Sequence, residues 1–384
     1  MQFLFWVSFL LLFYIYIGYP LAVKTVAAID PKPVTKTGDY QPTVSILIAA
    51  YNEAGDIEAT LRNKLELDYP KDKLEILVVS DESNDGTDDI VARVAEKAEC
   101  PVRLFRQVPR QGKTAGLNML KEHATGDILA FSDANSEWDE TALSHLVSNF
   151  NDQRVGYVTG KMVYVNDDGS LVGDGCSAYM KYENLLREQE TWIGSVVGVD
   201  GGIDAMRKSL YQPLNADQLP DFVQPLKVVE KGYRVVYESR ALLKEEALND
   251  SDSEFSMRVR VSLRALWALK DMKHLMNPLN GPLFAWQLIS HKLLRYTAFV
   301  PLLTLALSTL LLAPDWGIYT LAFVGLVAFT LLAWTGFRRE SKAQSLPAAY
   351  SIPYYFTLLN IASYKAVIAF LKGEKKVVWN PRKG

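Results

Sequence analysis

The sequence predicts an α/β domain with a mostly parallel sheet and membrane segments on both sides of it. Strand-like apolar runs alternate with helix-like segments between residues 43 and 134. Such alternation is typical of a parallel sheet that helices cover on both faces. An uncharged apolar run occupies residues 3–17, and further apolar stretches lie between residues 296 and 371. These two regions predict transmembrane and interfacial helices at both ends of the chain.

The first apolar run continues to about Val23 and predicts an N-terminal transmembrane anchor, residues 1–24. About 20 residues suffice to cross ~30 Å of hydrocarbon. A cleaved signal peptide is the alternative, but no basic region precedes the run and the following "VKTVAAID" is a poor cleavage site. Because Lys24, Lys32 and Lys36 come next, the positive-inside rule places the following part of the chain in the cytoplasm.

The elements of the central region follow one another in a regular order. Branched apolar runs predict strands at 43–51, 74–81, 102–108 and 127–134. Helices are predicted between them at 55–67, 85–98 and 112–124.

Acidic side chains follow three of these predicted strands. Glu53, Asp81 and Asp133 each lie just past a strand end. Ligands of parallel sheets bind outside the carboxyl ends of the strands, so these acids predict a binding site at one edge. Acids after strands also occur in turns and helix caps, and for Asp85 and Asp139 we favour capping.

Two apolar stretches near the C-terminus, 296–313 and 317–334, predict a membrane hairpin. The turn between them carries no basic residue and is predicted to lie outside, whereas the basic loop at 338–342 is predicted to lie inside. The third stretch, 346–371, contains two prolines and a lysine, and it either spans the membrane or is re-entrant or interfacial. We assign the C-terminal membrane segments to 296–371 and a basic tail to 372–384.

The composition excludes several classes of protein. A formal charge of −3 over 384 residues lacks the basic field that nucleic-acid binding requires. The two cysteines, Cys100 and Cys176, lie far apart and predict free thiols in a reducing compartment. They fit neither a disulfide framework nor a zinc site.

Several short motifs together resemble the family 2 inverting glycosyltransferases. They are "AAYNE" (49–53), "VVSDESNDGT" (78–87), "RQGKTAGLN" (110–118) and "FSDANS" (131–136), extended by "LPDF" (219–222) and "VVEKGYRVVYE" (228–238). Membrane-anchored members of this family synthesise cellulose, hyaluronan, chitin and poly-N-acetylglucosamine. The resemblance covers about residues 43–270 and implies a GT-A fold, a nucleotide-sugar donor that is commonly a UDP-sugar, and Mg²⁺ or Mn²⁺. We therefore assign residues 40–250 to a cytoplasmic GT-A domain.

The resemblance also implies roles for individual donor-binding residues. Tyr51 and Glu53 would border the nucleoside, and Asp81 would accept a hydrogen bond from the uracil ring, although Ser80 stands where the family has another acid. Lys113 would approach the phosphates as a point charge. A solvated lysine at the start of a helix is the alternative for Lys113.

The metal motif departs from the family pattern. Asp133 matches the first acid of an Asp-x-Asp motif, which reaches the ribose or the metal, and Asn135 stands in place of the second acid. An amide oxygen can still ligate Mg²⁺ or Mn²⁺. The resemblance therefore implies a working site in which the metal binds weakly until the donor phosphates add negative charge.

Asp221 in "LPDF" resembles the family's general base, which takes the proton from the acceptor hydroxyl. Pro220 stands where the family often has another acid. The alternative is that Asp221 caps a helix beginning near Phe222. An inverting transfer needs no covalent nucleophile, so neither cysteine requires a role.

The segment "FSMRVRVSLRALW" (255–267) resembles the Gln-x-x-Arg-Trp motif of processive synthases. It keeps Arg258, with Phe255 and Val259 in place of glutamine and tryptophan. The missing tryptophan argues against the synthesis of long chains. Arg258 either binds the donor diphosphate or contacts anionic lipid, and we assign residues 251–295 to amphipathic interface helices. The tail "WNPR" (379–382) resembles that of hyaluronan-type synthases.

These features predict a multi-pass inner-membrane glycosyltransferase that moves a sugar from a UDP-sugar to a lipid-linked or polysaccharide acceptor. Membrane lipids and other polysaccharide-export proteins are the expected partners, and nucleic acid is not. One alternative is a processive synthase that also extrudes its product. Another is a non-catalytic nucleotide-binding subunit of an export assembly.

The predicted orientation can be tested with single cysteines in a chain whose two native cysteines are replaced by serine. Asp315→Cys lies in the predicted outer turn, and Glu340→Cys lies in the predicted inner loop. We expect an impermeant thiol reagent, added to intact cells, to label Asp315→Cys and to leave Glu340→Cys unmodified until the cells are opened. The reverse labelling pattern would contradict the orientation and with it the access to cytosolic nucleotide-sugars.

Overall fold

An eight-stranded sheet is the main element of the computed structural model, which describes residues 1–165, 175–246, 251–342 and 346–375, without the side chains of 164–165, 175–177, 246 and 251–253. Its strands are β1 (Val44–Ala50), β2 (Leu74–Ser80), β3 (Val102–Arg106), β4 (Ile128–Asp133), β5 (Glu137–Trp138), β6 (Val155–Val165), β7 (Ile203–Arg207) and β8 (Arg234–Glu246). They are arranged in the order β3-β2-β1-β4-β7-β6-β8-β5.

The sheet is mixed, with a parallel half that carries the predicted motifs. Strands β3, β2, β1 and β4 run parallel to one another. Strand β7 runs antiparallel to both β4 and β6, β6 pairs in parallel with β8, and β5 pairs antiparallel with β8. The predicted α/β class is confirmed, and β5 and β7 are the departures from a mostly parallel sheet.

The α-helices in the described parts of the chain are numbered in chain order. They are α1 (Gln2–Phe13), α2 (Tyr19–Ile29), α3 (Ile57–Leu65), α4 (Thr87–Ala95), α5 (Lys113–His123), α6 (Ala142–Ser148), α7 (Gly175–Ile193), α8 (Pro220–Glu230), α9 (Ser251–Asp271), α10 (Pro282–Gln287), α11 (Leu294–Tyr296), α12 (Phe299–Leu312), α13 (Ile318–Glu340) and α14 (Ala348–Leu371).

The predicted strands and helices between residues 43 and 134 are all present, with ends that differ by a few residues. Alternate residues of a strand face opposite sides of a sheet, and β1 shows why both sides must be covered. Ile46 and Ile48 belong to a core that includes Ile57 of α3. Leu47 belongs to a second core that includes Leu120 of α5. A strand that is apolar on both faces therefore forms the buried centre of the domain.

The chain divides into two units by its contacts. The sheet unit consists of the described residues of Asp30–Leu171 and Asn184–Ala247. The helical unit consists of those of Met1–Ile29, Val172–Glu183 and Leu248–Lys375. The domain boundaries predicted from the sequence remain predictions.

The helical unit contains helices that are long and apolar enough to cross a membrane. Three satisfy this in the described part of the chain, Gln2–Ile29, Ile318–Glu340 and Ala348–Leu371. The third apolar stretch is therefore one helix of 24 residues, although Pro353 lies inside it.

The predicted span at 296–313 has a different form. Helix α12 has 14 residues, and it meets the preceding segment Pro282–Tyr296 at an angle of 57°. This pair reaches the length of a membrane span if the two bent parts are counted as one segment. The bend follows Tyr296, where Thr297 leaves the helical conformation.

Helices α13 and α14 pack closely at Gly336. A Cβ atom at Gly336 would lie 2.6 Å from the backbone oxygen of Tyr350 and 2.8 Å from the Cβ of Tyr354. Small residues allow helix backbones to approach in this way, as is common between membrane helices. The last two apolar helices therefore form a specific pair.

Candidate active site

The register of the parallel strands brings the predicted site residues to one edge of the sheet. Ala50 at the end of β1 pairs with Ser80 at the end of β2, and Ala49 pairs with Asp133 at the end of β4. Tyr51 and Asp81 follow these strand ends directly. The sequence-based prediction of a shared edge is therefore consistent with the register.

Asp81 is buried and holds the segment that leads into helix α5. Its carboxylate accepts hydrogen bonds from Nε2 of Gln107 at 2.5 Å, from the backbone nitrogen of Gln111 at 2.9 Å, and from that of Gly112 at 3.0 Å. Arg110 also donates to it from Nε at 3.3 Å. In its predicted role, Asp81 would contact a uracil ring with the same carboxylate oxygens that already accept hydrogen bonds from this segment.

Arg110 also covers the ring of Tyr51. Its guanidinium carbon lies 3.4 Å from the ring centroid, which is the geometry of a cation–π interaction. Arg110 lies in a quoted motif, but the sequence analysis assigned it no role. The structure thus places a cation beside the residue that is predicted to border the nucleoside.

Lys113 connects the predicted metal site with the predicted base. Its ammonium group forms an ion pair with Oδ1 of Asp133. Burial would lower the pKa of Lys113, but the charges of Asp133 and Asp221 raise it above its ordinary value. Lys113 is therefore a part-buried lysine that is paired with Asp133, and its predicted approach to the donor phosphates stays a prediction.

The residues around Asp133 supply few ligands for a metal ion. Gly202 lies beside the carboxylate, and a Cβ there would be 3.7 Å from Oδ2 of Asp133, an ordinary contact distance. Asn135 follows in the same turn and is half-buried. The described residues contain no group of three His, Cys, Asp or Glu side chains that could hold a metal. This donor set fits an ion that takes most of its ligands from phosphate oxygens.

A buried lysine that the sequence analysis missed supports the turn after β4. Nζ of Lys64 donates to the backbone oxygen of Ser136 at 2.7 Å and lies 4.7 Å from the ring centroid of Trp138. Trp138 in turn donates from Nε1 to the backbone oxygen of Gly202 at 3.0 Å. Burial lowers the pKa of Lys64 well below its ordinary value. The signal in the sequence was a lysine on the apolar face of α3, three residues after Leu61.

Glu53 is buried close to the other acids of the site. Burial, followed by the negative charges of Asp56, Asp133 and Asp85, raises the pKa of Glu53 to about 8. Its carboxyl group is therefore mostly protonated at neutral pH and can donate as well as accept a hydrogen bond.

Asp221 lies in the first turn of α8, which begins at Pro220. Leu219 is the N-cap of this helix, so Asp221 lies one residue inside it and not at the N-cap position itself. Its predicted role as the base stays a prediction. Gly201, with a φ angle of +89°, lies against the carboxylate, where the Cβ of any other residue would clash with Oδ2. Asp221 and Lys113 line the same small cavity of about 10 Å³, which is close to the volume of a single water.

Asp204 is a second buried acid at this cavity, and the sequence analysis missed it. Its Oδ2 accepts hydrogen bonds from the hydroxyl of Tyr157 at 2.9 Å and from the backbone nitrogen of Gly201 at 3.1 Å. Burial raises its pKa to about 7, and the charges of Asp200 and Asp221 contribute in the same direction. The signal was an acid inside an otherwise apolar strand.

Arg258 belongs to the helical unit and forms hydrogen bonds with residues of that unit. Its Nε donates to Glu254 at 2.7 Å, and its Nη2 donates to the hydroxyl of Tyr355 at 2.7 Å. Its predicted contact with the donor diphosphate stays a prediction. Cys100 is a buried free thiol, as expected, whereas the side chain of Cys176 and the "WNPR" tail lie outside the described residues.

Comparison with known families finds one match within the chain. Residues 45–212 match the family described as Glycosyl transferase family 2. The match contains the predicted donor residues from Tyr51 to Asp133 and the predicted metal residues, whereas Asp221 and Arg258 lie beyond it.

Two curated relatives match about half of this chain. The chain is 38% identical over 207 residues to the probable glycosyltransferase YdaM of Bacillus subtilis, a match that covers 52% of this chain and 48% of that protein. It is 28% identical over 205 residues to the poly-beta-1,6-N-acetyl-D-glucosamine synthase of Staphylococcus aureus, again 52% of this chain and 48% of that protein. The matches thus span about half the length of these relatives.

A solved structure shows the same fold. The mannosyltransferase PcManGT from Pyrobaculum calidifontis, solved with GDP-Man and Mn²⁺, matches with a TM-score of 0.75 at 24% identity, over 97% of this chain and 99% of that chain. The predicted GT-A fold is confirmed.

The perturbed pKa of Asp204 predicts how stability depends on pH. The folded chain holds the proton up to about pH 7, whereas an ordinary aspartate has a pKa of 3.8. The free energy of unfolding is therefore highest, with respect to this group, below about pH 4. It falls as the pH rises to about 7, by a total on the order of 4 kcal/mol. Asp204→Asn removes this loss, because asparagine keeps an acceptor oxygen and carries no charge. We expect its melting temperature to exceed that of the wild type by an amount that grows between pH 4 and pH 7.

Asp139→Asn is the matched control. Hydrogen bonds from Thr141 lower the pKa of Asp139, so its removal should destabilise the protein above the ordinary aspartate pKa. Thermal unfolding of both variants across this pH range measures the two effects. A constant difference between Asp204→Asn and the wild type at every pH would show that Asp204 does not bind the proton in the folded state.

Proposed function

We propose that the protein is a membrane-integrated inverting glycosyltransferase that moves a sugar from a UDP-sugar to a lipid-linked or polysaccharide acceptor. The position of Lys113 within the residues that match family 2 carries the proposal, because the lysine forms an ion pair with Asp133 and lines the same small cavity as Asp221. Asp133 is the predicted metal and donor residue, and Asp221 is the predicted base. A transfer reaction requires these two functions close together, so that donor and acceptor meet in reactive geometry.

The donor would lie along the carboxyl edge of β1, β2 and β4. Tyr51 and Glu53 would border the nucleoside, and Asp81 would contact the base while it holds the 107–112 segment. Arg110 and Lys113 supply positive charge for the diphosphate, which matches the charge of a nucleotide-sugar.

A divalent ion, Mg²⁺ or Mn²⁺, would be held by Asp133 and Asn135 together with donor oxygens. When bound, it would neutralise negative charge that develops on the leaving diphosphate. Lys113 stands beside the same carboxylate and adds a fixed positive charge there. The turn that carries Asn135 is kept in place by Lys64 and Trp138.

Asp221 would take the proton from the acceptor hydroxyl as that oxygen attacks the anomeric carbon from the face opposite the nucleotide. The new bond forms while the bond to the diphosphate breaks, so the configuration inverts and no covalent enzyme intermediate is required. Gly201 leaves the space that the carboxylate occupies.

The acceptor is the least constrained part of the proposal. The relative from S. aureus, a poly-beta-1,6-N-acetyl-D-glucosamine synthase, favours a polymeric product as the second candidate. Phe255 and Val259, in place of the glutamine and tryptophan of processive synthases, favour short products. Product length, measured after incubation of the purified chain with a UDP-sugar panel, separates the two. A GDP-sugar arm in the same panel tests the choice of nucleotide.

We also propose that residues 1–24 and 296–371 place the chain in the inner membrane, with the family 2 domain in the cytoplasm. Cytosolic nucleotide-sugars would then reach the domain directly.

The proposed base can be separated from donor binding with Asp221→Asn. Asparagine keeps the size of the side chain and removes the proton acceptor. We expect UDP-sugar affinity to change little and transfer to fall by at least about 10²-fold, the lower end for the loss of a positioned base. Asp139→Asn, the same substitution at an exposed turn, should retain wild-type transfer. Near-normal transfer by Asp221→Asn would exclude Asp221 as the base.

The metal motif predicts opposite effects for two substitutions. Asn135→Asp should keep activity and lower the Mn²⁺ concentration needed for half-maximal release of UDP, because a second carboxylate attracts the ion. Asp133→Ala should abolish release at every metal concentration. Wild-type release of UDP by Asp133→Ala would show that the metal and donor site lies elsewhere.

If the protein is a nucleotide-binding subunit without activity, the wild type itself will bind the UDP-sugar and release no UDP. Binding and release measured on one preparation therefore decide between an enzyme and a binding subunit.

A further inference from the structure

The helical unit contains a cavity, and Arg258 is the one residue of its wall for which a role is predicted above. Its volume is about 320 Å³, which falls in the ~300–1,000 Å³ range of small-molecule sites. It is lined by residues of α7, α9 and α14 and by the segment that ends at Tyr296. All of its described lining residues belong to the helical unit.

One side of the cavity is cationic. Arg258, Lys292 and Arg295 line it together with His291, and none of its described lining residues is an acid. Positive charges gathered at a cavity wall favour an anionic ligand, since the attraction between charges is strong where water is scarce. The ligand of this cavity should therefore carry negative charge.

A buried carboxylate behind the wall holds the cations in place. Glu183 forms an ion pair with Arg295, and its Oε2 lies 3.3 Å from Nε2 of His291 and 3.6 Å from Nζ of Lys292. Burial would raise the pKa of Glu183, but these three neighbours lower it well below its usual range. One carboxylate is therefore shared among several basic groups.

Tyrosine rings orient the two guanidinium groups. The Arg295 guanidinium carbon lies 5.6 Å from the ring centroid of Tyr179 and 5.3 Å from that of Tyr182. The corresponding distances from Arg258 are 5.4 Å to Tyr179 and 5.8 Å to Tyr355. Stacking of this kind limits the motion of a planar guanidinium, which binds phosphate through parallel N–H donors. Pre-organised arginines fit a phosphate better than a single point charge does.

The opposite side of the cavity is apolar. Ile352, Phe356 and Leu359 line it from α14, a helix long enough to cross a membrane. A cavity with a cationic wall and an apolar wall suits a ligand that has an anionic head and a hydrocarbon chain.

We propose that this cavity binds the phosphate head group of a membrane amphiphile. The phosphate lies against Arg258, Lys292 and Arg295, and the first part of the hydrocarbon chain lies against the apolar residues of α14. The proposal concerns binding in the absence of any nucleotide-sugar, so it does not depend on the function proposed above. Two sources share this chemistry, an anionic phospholipid and a polyprenyl phosphate.

Binding to the full chain in a non-ionic detergent tests the proposal. The probes are phosphatidic acid with diacylglycerol as its neutral counterpart, a polyprenyl phosphate with the matching polyprenol, and inorganic phosphate. Native mass spectrometry or a fluorescence titration measures the affinities. We expect each phosphate-bearing lipid to bind at least about tenfold more tightly than its neutral counterpart, as charge-assisted hydrogen bonds of ~1.5–3 kcal/mol require.

Comparison of the probes distinguishes the sources. Tighter binding of the polyprenyl phosphate identifies that lipid class, and equal binding of both lipids identifies a general site for anionic head groups. Binding of the neutral lipids as tight as that of the phosphates would overturn the proposal. Inorganic phosphate binding as tightly as the lipids would overturn the part that concerns the hydrocarbon chain.

Variants locate the binding in the cavity. Glu183→Gln removes the shared carboxylate, and we expect it to tighten binding of the phosphate-bearing lipids. The double variant Glu183→Gln/Arg295→Met removes one negative and one positive charge, so the net charge of the cluster is the same as in the wild type. We expect it to weaken their binding by about tenfold or more, because a guanidinium donor is lost.

Lys365→Met is the matched control for the loss of one positive charge. Lys365 lies on α14, 4.6 Å from the ring centroid of Phe255, and does not line the cavity. We expect the Lys365→Met variant to bind the phosphate-bearing lipids with wild-type affinity. Wild-type affinity in the double variant, or an equal loss in Lys365→Met, would show that the lipids bind elsewhere. If Glu183→Gln alone fails to fold, the double variant still gives the test, because its net charge equals that of the wild type.

Discussion

The candidate active site depends on one ion pair, between Lys113 and Asp133. The parallel register brings Asp133 to the carboxyl edge of the sheet, and Lys113 begins the helix that follows β3. Repulsion among the acids gathered at this edge would be costly without a cation. The raised pKa of Glu53 shows that some of this cost remains. A further positive charge, such as a metal ion, would therefore be favoured at the same position.

Support for this edge comes from residues that do no chemistry themselves. The ammonium group of the buried Lys64 contacts the Ser136 carbonyl and the Trp138 ring, and no carboxylate of the described residues forms an ion pair with it. Gly201 leaves the space beside Asp221 that a side chain would fill. The helical unit differs, because the buried Glu183 is kept ionised by the basic groups around it. A buried charge of that kind is tolerated because its partners carry the opposite charge.

Much of the fold followed from local pattern. The branched apolar runs predicted four strands, and their alternation with helices predicted a parallel arrangement, which the pairing of β1 with β2 and β4 shows. The positions of Asp81 and Asp133 after strand ends predicted their common edge. Pattern could not predict that β7 is antiparallel, because the direction of a strand depends on the path of the intervening chain. Nor could it predict the 57° bend after Tyr296, since both segments are apolar.

The sequence by itself therefore determined the fold class and the acids at the sheet edge, because these depend on residue order within short segments. Tertiary structure decided which charged groups lie close enough to interact electrostatically. Lys113 lies 20 residues from Asp133 and 108 from Asp221 in the sequence, yet both carboxylates raise its pKa. Only the structure shows that Asp204 is a buried acid near Asp221. The partners of Glu183 come from a segment more than 100 residues away in the sequence. Electrostatic interactions depend on distance in space and on the exclusion of water, and folding alone sets both.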